Sequence, residues 1–171
     1  MSSCSVCFKP IGYVRTVFRD DEVRSAWPHG VEGFVEVLEE YAEGLKGLEG
    51  FSHVLIVAYL HRVPEEARRT LKAKPRRLTR FGFKLEELPE VGVFALDSPH
   101  RPNPIAVTIA ELVGIEGNKL YVKALDLYDG TPVLDIRPYT PDRVVDPGKL
   151  RLAEWYRELY EKARKLGLQS I

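Results

Sequence analysis

Residues 105–136 constrain the fold more than any other part of the chain. Ile105 to Ile115 alternates apolar and small residues, the period of a strand rather than of a helix. Glu116-Gly117-Asn118 is a turn signal, and Lys119 to Leu125 returns as the partner strand of a hairpin. Asp129-Gly130 marks another turn, after which Thr131 to Ile136 reads as a further short strand. Three consecutive strands joined this closely predict an antiparallel sheet.

The rest of the chain supplies more of the same. Residues 10–18 are rich in β-formers, Gly33 to Leu38 alternates loosely, and Val91 to Leu96 reads as a strand. Phe51 to Leu60 is nearly continuous and β-branched, which predicts a fully buried strand. Arg19 to Gly30 reads as a loop, and Tyr41 to Leu48 as a short helical turn ended by Gly47 and Gly50. A helix is expected from Asp146 as N-cap with Pro147 at the first helical position. Leu152, Trp155, Leu159, Ala163 and Leu166 recur along it at helical spacing, and Tyr156 and Tyr160 broaden the stripe. At least seven strands with few helices make the chain mainly β, a single domain with short helices and a C-terminal helix.

Hydrophobic content of 44% and charged content of 29% over 171 residues describe a soluble globular domain. No apolar run approaches a membrane span, and the first residues lack a hydrophobic signal core, so a cytoplasmic location is expected. No Gly-x-Gly-x-x-Gly follows a strand, and no His-Glu-x-x-His, nucleophile elbow or phosphate loop occurs. Cys4 and Cys7 form the one Cys-x-x-Cys; without a second pair they read as reduced thiols rather than as a zinc site, unless two chains share one.

Two segments carry more chemistry than a core requires. In Asp97-Ser98-Pro99-His100-Arg101-Pro102-Asn103-Pro104-Ile105, three prolines within six residues forbid a helix and hold the backbone extended. Ser98, His100, Arg101 and Asn103 sit between those stiff points, so little entropy is lost if they grip a ligand. Leu125 to Tyr139 places Asp126, Asp129, Asp135, Arg137, Tyr128 and Tyr139 around the Asp-Gly turn. A third segment is basic. Arg68, Arg69, Lys72, Lys74, Arg76, Arg77, Arg80 and Lys84 are offset within it by Glu65 and Glu66. The whole chain balances 25 basic against 25 acidic residues, so nucleic-acid binding requires such a local cluster. Clustered cations with Phe81 and Phe83 able to stack on bases are the footprint of an RNA-contacting face; a solvated face is the plain alternative. From these residues alone the chain is a β-protein with a polar site and no identified cofactor.

Ser98-Pro-His-Arg-Pro-Asn-Pro-Ile105, followed by Leu125-Asp-x-x-Asp-Gly-Thr-Pro-Val-Leu-Asp-Ile-Arg-Pro-Tyr139, resembles the TsaA-like family, best known for TrmO-type tRNA methyltransferases. Ile11-Gly12 with Arg15, and Gly47 to His53, add to the resemblance, which covers roughly residues 10–141. It implies a TsaA-like β-barrel domain over 10–141, between an N-terminal tail (1–9) and a C-terminal helical extension (142–171). It also implies closure of the sheet into a barrel, pairing as a homodimer, S-adenosyl-L-methionine as cofactor and tRNA as partner. The substrate expected from the family is N6-threonylcarbamoyl-adenosine beside the anticodon.

On that resemblance the cofactor falls to His53, Ser98, His100, Arg101, Pro102, Asn103, Pro104, Ile105, Asp129, Gly130 and Thr131. Methylation of an adenine exocyclic amine gains from a carboxylate that accepts its proton, and Asp126 is the first choice. Asp135 is expected in a structural ion pair. Arg137 and Tyr139, with the basic residues from Arg68 to Arg80, are assigned to substrate and RNA; a threonyl carboxylate suits a bidentate arginine. The chain departs from the family at Asp97, where familiar members carry Arg, and at Ala106, where they carry Gly. It also has Thr16-Val17-Phe18 for their Ser-Pro-Phe, and Trp27-Pro28-His29 does not align with their Pro-Arg-Gln. These departures leave two alternatives: the same fold methylating another RNA or small molecule, or a module that binds cofactor or RNA without turnover.

Overall fold

The structure is a computed structural model that describes residues 6–165. In chain order it contains β1 (Gly12–Arg15), α1 (Asp20–Ser25), β2 (Val31–Val37), β3 (His53–Tyr59), β4 (Lys72–Ala73), β5 (Val91–Gly92), β6 (Ile105–Glu116), β7 (Lys119–Leu125), β8 (Pro132–Pro138) and α2 (Glu154–Lys165). Short 3-10 turns connect several of them. The chain divides into two compact units, 1–62 with 105–140 and 63–104 with 141–171. No helix among the described residues is long and apolar enough to cross a membrane.

The first unit is a closed antiparallel barrel of six strands in the order β1-β2-β7-β6-β3-β8. Alternation builds it. Val14, Val35, Val37, Val54, Ile56, Ala58, Ala110, Leu120, Val122 and Val133 point inward and form one core with Leu125 and Leu127. Each fully buried Val, Leu or Ile contributes roughly 1.5–3 kcal/mol. Closure leaves none of the six strands with an unpaired edge. β3 is buried on one face only: Leu55 and Val57 alternate with Val54, Ile56 and Ala58 and are partly exposed. A continuous apolar run therefore does not report two-sided burial.

The β6–β7 hairpin turns through Gly117-Asn118, with Glu116 opposite Lys119 and Gly117 at φ 59°. The first position of such a two-residue turn needs glycine. Asn118 Nδ2 then donates to the Val37 carbonyl at 2.7 Å, stapling the turn to β2. Two bulges shift the ladders. On β6 the register slips between Leu112 and Gly114, so that Glu111 faces Lys123. On β7 it slips between Val122 and Leu125 against β2. Ala124 lies in that second bulge at φ 59°, the one non-glycine among the described residues with positive φ. Such a conformation costs an alanine about 1–2 kcal/mol. Gly30 packs against it so closely that a Cβ there would meet the Ala124 carbonyl carbon at 2.5 Å.

Residues 19–30, expected as a loop, contain α1. Its first turn holds Asp20, Asp21 and Glu22, the charges that suit a helix N-terminus. Glu22 accepts from the Arg19 backbone N–H at 2.8 Å, and Val23 is buried. Six residues are too short to show a period, so the local pattern could not reveal the helix.

In the second unit Leu78, Phe83, Leu88 and Ala163 form a small core, with Phe81 and Leu159 packed against it. β5 is two residues long and pairs with β4; the rest of the expected 91–96 strand turns into a 3-10 segment, Val93–Ala95. The helix expected from Asp146 begins at Glu154. Asp146 caps a turn instead: its Oδ1 accepts from Gly148 N–H at 2.9 Å and its carbonyl from Lys149 N–H at 2.8 Å. Leu152 precedes the helix and is exposed, while Leu159 and Ala163 supply its buried stripe. Lys162 Nζ donates to Glu87 Oε2 at 2.5 Å and lies 5.3 Å from the Phe83 ring centre. That hydrogen bond and charge hold the Glu87 carboxyl below its ordinary value. Cys4 and Leu166 lie outside the described residues; Cys7 is an exposed thiol.

Candidate functional site

Asp126 follows β7, and its neighbours Leu125 and Leu127 are both buried in the barrel core. Alternation about those two anchors turns the Asp126 side chain outward, where it is exposed. The Thr108 hydroxyl donates to Asp126 Oδ1 at 2.6 Å. Thr108 is only 7% exposed, so a buried donor on β6 holds an exposed carboxylate.

The Asp-Gly turn is fastened from several sides. Gly130 N–H donates to the Val14 carbonyl at 2.8 Å, and Val14 N–H to the Thr131 carbonyl at 2.9 Å. Thr16 N–H donates to Asp129 Oδ1 at 3.1 Å. Arg62 donates to the Asp129 carbonyl at 3.2 Å, pairs with Asp20 of α1, and sits 5.6 Å from the Tyr128 ring centre. One guanidinium thus ties the end of β3, the helix and the turn together. Burial, and then the Arg62 charge, hold the adjacent His61 imidazole below its ordinary value, with Asp20 opposing. Gly130 has φ 75°, and a Cβ there would meet nothing within 4 Å, so the backbone at this point faces open space.

Beside Asp129 the barrel surface carries a groove of about 480 Å³, lined by Thr16, Val17, Phe18, Phe34, Tyr121 and Asp129 among others. Its volume falls in the range of small-molecule sites, roughly 300–1,000 Å³. Phe34 and Tyr121 meet across β2 and β7 with ring centres 5.4 Å apart. The charges at its rim are largely self-compensated: Arg15 pairs with Glu36 at 2.9 Å and Lys123 with Glu32 at 3.5 Å. Of these, the sequence reading assigns Asp129 to the cofactor and gives no site role to the others. Alternation could have found two of them, because Phe34 and Tyr121 stand one place out of phase with inward Val35, Leu120 and Val122.

The other predicted residues fall into separate groups. On the barrel, His53 Nδ1 lies 3.0 Å from Ser52 Oγ, and the His53 carbonyl accepts from Tyr139 N–H at 3.0 Å. Arg137 faces Leu55 across the β3–β8 ladder and donates to Asp135 at 2.7 Å. Ile105 opens β6 opposite Tyr59. Thr131, expected to touch cofactor, is 2% exposed; its side chain belongs to the interior and its part in the turn is structural.

In the second unit Ser98 Oγ accepts from His100 N–H at 3.3 Å, and Arg101 donates to the Val93 carbonyl at 3.2 Å. Pro102 and Asn103 are exposed and Pro104 is buried. Asp97 is exposed. Among the basic residues, Arg68 donates to the Val63 carbonyl and Lys74 to the Leu85 carbonyl, at 3.3 and 3.1 Å. Arg69, Lys72, Arg76 and Arg80 are exposed, and Arg77 is half-buried. The expected base-stacking role fails for Phe83, which is 3% exposed. Phe81 is half-buried and packs on the same core.

Residues 15–144 match the family described as the tRNA-methyltransferase O N-terminal domain. A Pyrococcus abyssi protein named "Probable S-adenosyl-L-methionine-binding protein" is 37% identical over 140 residues, 80% of this chain and 70% of that one. The tRNA (adenine(37)-N6)-methyltransferase of Mus musculus is 36% identical over 141 residues, 78% of this chain but 31% of that one. The crystal structure of TrmO from Pseudomonas aeruginosa superposes with a TM-score of 0.63 at 30% identity, covering 86% of this chain and 61% of that one. The barrel and the matched span agree: this chain belongs to the tRNA-methyltransferase O family, a family of S-adenosylmethionine-dependent methyltransferases.

Proposed function

We propose that this protein methylates N6 of adenosine in tRNA, with N6-threonylcarbamoyl-adenosine beside the anticodon as substrate and S-adenosyl-L-methionine as donor. It works as a cytoplasmic homodimer. The observation that carries the reading is the Asp126 carboxylate, oriented by a buried hydroxyl on a barrel of this family.

The residues fit the cofactor. Asp129 has one oxygen engaged by Thr16 and a second that no hydrogen bond among the described residues occupies, at the edge of the groove. An acid beside an apolar floor suits a ligand that combines a cation with an aromatic heterocycle. On the barrel, His53, Ile105, Asp129 and Gly130 would hold it; the family motif gives the same role to Ser98, His100, Arg101, Pro102, Asn103 and Pro104. When bound, the cofactor supplies an electrophilic methyl group on a sulfonium.

The chain's own residues do the rest. Asp126 takes the proton lost from the substrate nitrogen, which in a urea-like group is more acidic than in plain adenine. Arg137 and Tyr139 face the substrate, and Arg68, Arg69, Lys72, Lys74, Arg76, Arg77 and Arg80 follow the tRNA backbone.

Mass analysis of tRNA nucleosides tests this reading. After incubation with methyl-labelled cofactor, the label is expected in threonylcarbamoyl-adenosine. Label on another nucleoside would favour the second reading, the same chemistry on a different substrate. That reading is motivated by Asp97, exposed where familiar members carry arginine. No label on any nucleoside would sink both.

A further inference from the structure

Asp126 follows two irregularities of the barrel and is held by one buried hydroxyl. The β6–β7 hairpin starts with Glu116 opposite Lys119. The bulge between Leu112 and Gly114 shifts the count by one, so that Glu111 faces Lys123, the last pair of that ladder. A one-residue slip exchanges the two faces of a strand. The second bulge turns β7 through Ala124 at positive φ, pinned by the close approach of Gly30, two residues before Asp126. Bulges of this kind re-aim side chains.

The outcome is the 2.6 Å bond from Thr108 Oγ1 to Asp126 Oδ1. That length is typical of a hydroxyl donating to an ionised carboxylate. It is also the one hydrogen bond the Asp126 side chain makes among the described residues. Oδ2 is left open.

We propose that Thr108 is a positioning residue for methyl transfer: its buried hydroxyl fixes the Asp126 carboxylate in one orientation, occupies Oδ1, and presents Oδ2 to the proton of the substrate nitrogen. This rests on the reading of Asp126 as proton acceptor. The balance is complete. As the N6–methyl bond forms, the sulfur–methyl bond breaks with its electron pair kept by sulfur, and the N6 proton passes to Oδ2.

The test uses the full chain, S-adenosylmethionine and tRNA bearing threonylcarbamoyl-adenosine, with Thr108→Val, Thr108→Ser and Asp126→Asn variants. Thr108→Val keeps the shape and removes the donor. It should lower kcat about 10- to 100-fold, the scale of a misplaced catalytic group, with KM for the cofactor within about twofold. Thr108→Ser should return kcat to within about threefold, because it restores a donor. A crystal structure of Thr108→Val should show Asp126 in a different rotamer, a readout independent of turnover. Asp126→Asn should lose about 100-fold or more.

Full activity in Asp126→Asn would overturn the acceptor role and the proposal together. An inactive Asp126→Asn beside a fully active Thr108→Val would overturn the positioning role alone. So would a Thr108→Ser variant as slow as Thr108→Val, since the lost contact would then be the threonine methyl.

Discussion

Arg69, Lys72 and Arg76 are exposed, and none of their side chains makes a hydrogen bond or ion pair among the described residues. Arg68 and Lys74 are committed to backbone carbonyls. The structure thus selects three cations from the basic segment as those best able to neutralise phosphates. Each phosphate neutralised releases counterions and adds about 0.7 (single strand) to 0.9 (duplex) to the slope of log affinity against log salt. Replacing the three with glutamine should therefore flatten the slope by roughly 2–3. Over a fourfold rise in salt, affinity of the native chain should fall about 15- to 40-fold more than that of the variant. The assay is filter or fluorescence titration of tRNA between about 50 and 200 mM salt, with thermal melting to confirm that the variant is folded. A slope unchanged within about 0.5 would return this segment to a solvated face and detach it from RNA recognition.

Two further outcomes follow from the barrel. Gly12→Ala should destabilise by about 1–3 kcal/mol in urea titration, because its Cβ would lie 2.5 Å from the Glu36 carbonyl oxygen and 2.9 Å from the Val37 Cα, neither of which can rotate away; a loss under about 0.5 kcal/mol would mean that β1 shifts freely. His61 has its folded-state value held down, so the unfolded chain takes up the proton more readily. Stability should then fall as pH drops through the ordinary imidazole value, and His61→Gln should flatten the dependence between about pH 5 and 7. An unchanged pH dependence in that variant would assign the acid sensitivity to another group.

How far the sequence could be read depended on whether the deciding signal was local. The β6–β7 hairpin was legible because alternation and Gly117-Asn118 agree, and β7 keeps its expected bounds, Lys119–Leu125. The barrel's six staves were largely visible for the same reason, although its closure came from the family motifs. Where one residue served two grammars, the reading failed. Asp146-Pro147-Gly148 has the chemistry of a helix start and of a tight turn, and the turn won because no buried stripe follows until Leu159. Phe81 and Phe83 sit among cations, so charge disguised them as an RNA platform; only tertiary packing shows that they build a core. The site was half legible. Asp126, Asp129 and Arg137 announce themselves as charges, but Thr108 sits in an apolar run, and its bond to Asp126 is a tertiary contact that no local pattern encodes.

One property of the strand order bears on how the chain tolerates insertion. Tyr59 at the end of β3 pairs with Ile105 at the start of β6, so the barrel departs from its ladder and resumes it between neighbouring residues. Everything from 63 to 104 is strung across that single rung. Removing it asks the barrel to close one short hairpin, and lengthening it costs only the slow logarithmic growth of loop entropy. The Pro-rich motif, Asp97 and the basic residues therefore lie on an insertion whose length can change without altering the pairing of β3 with β6.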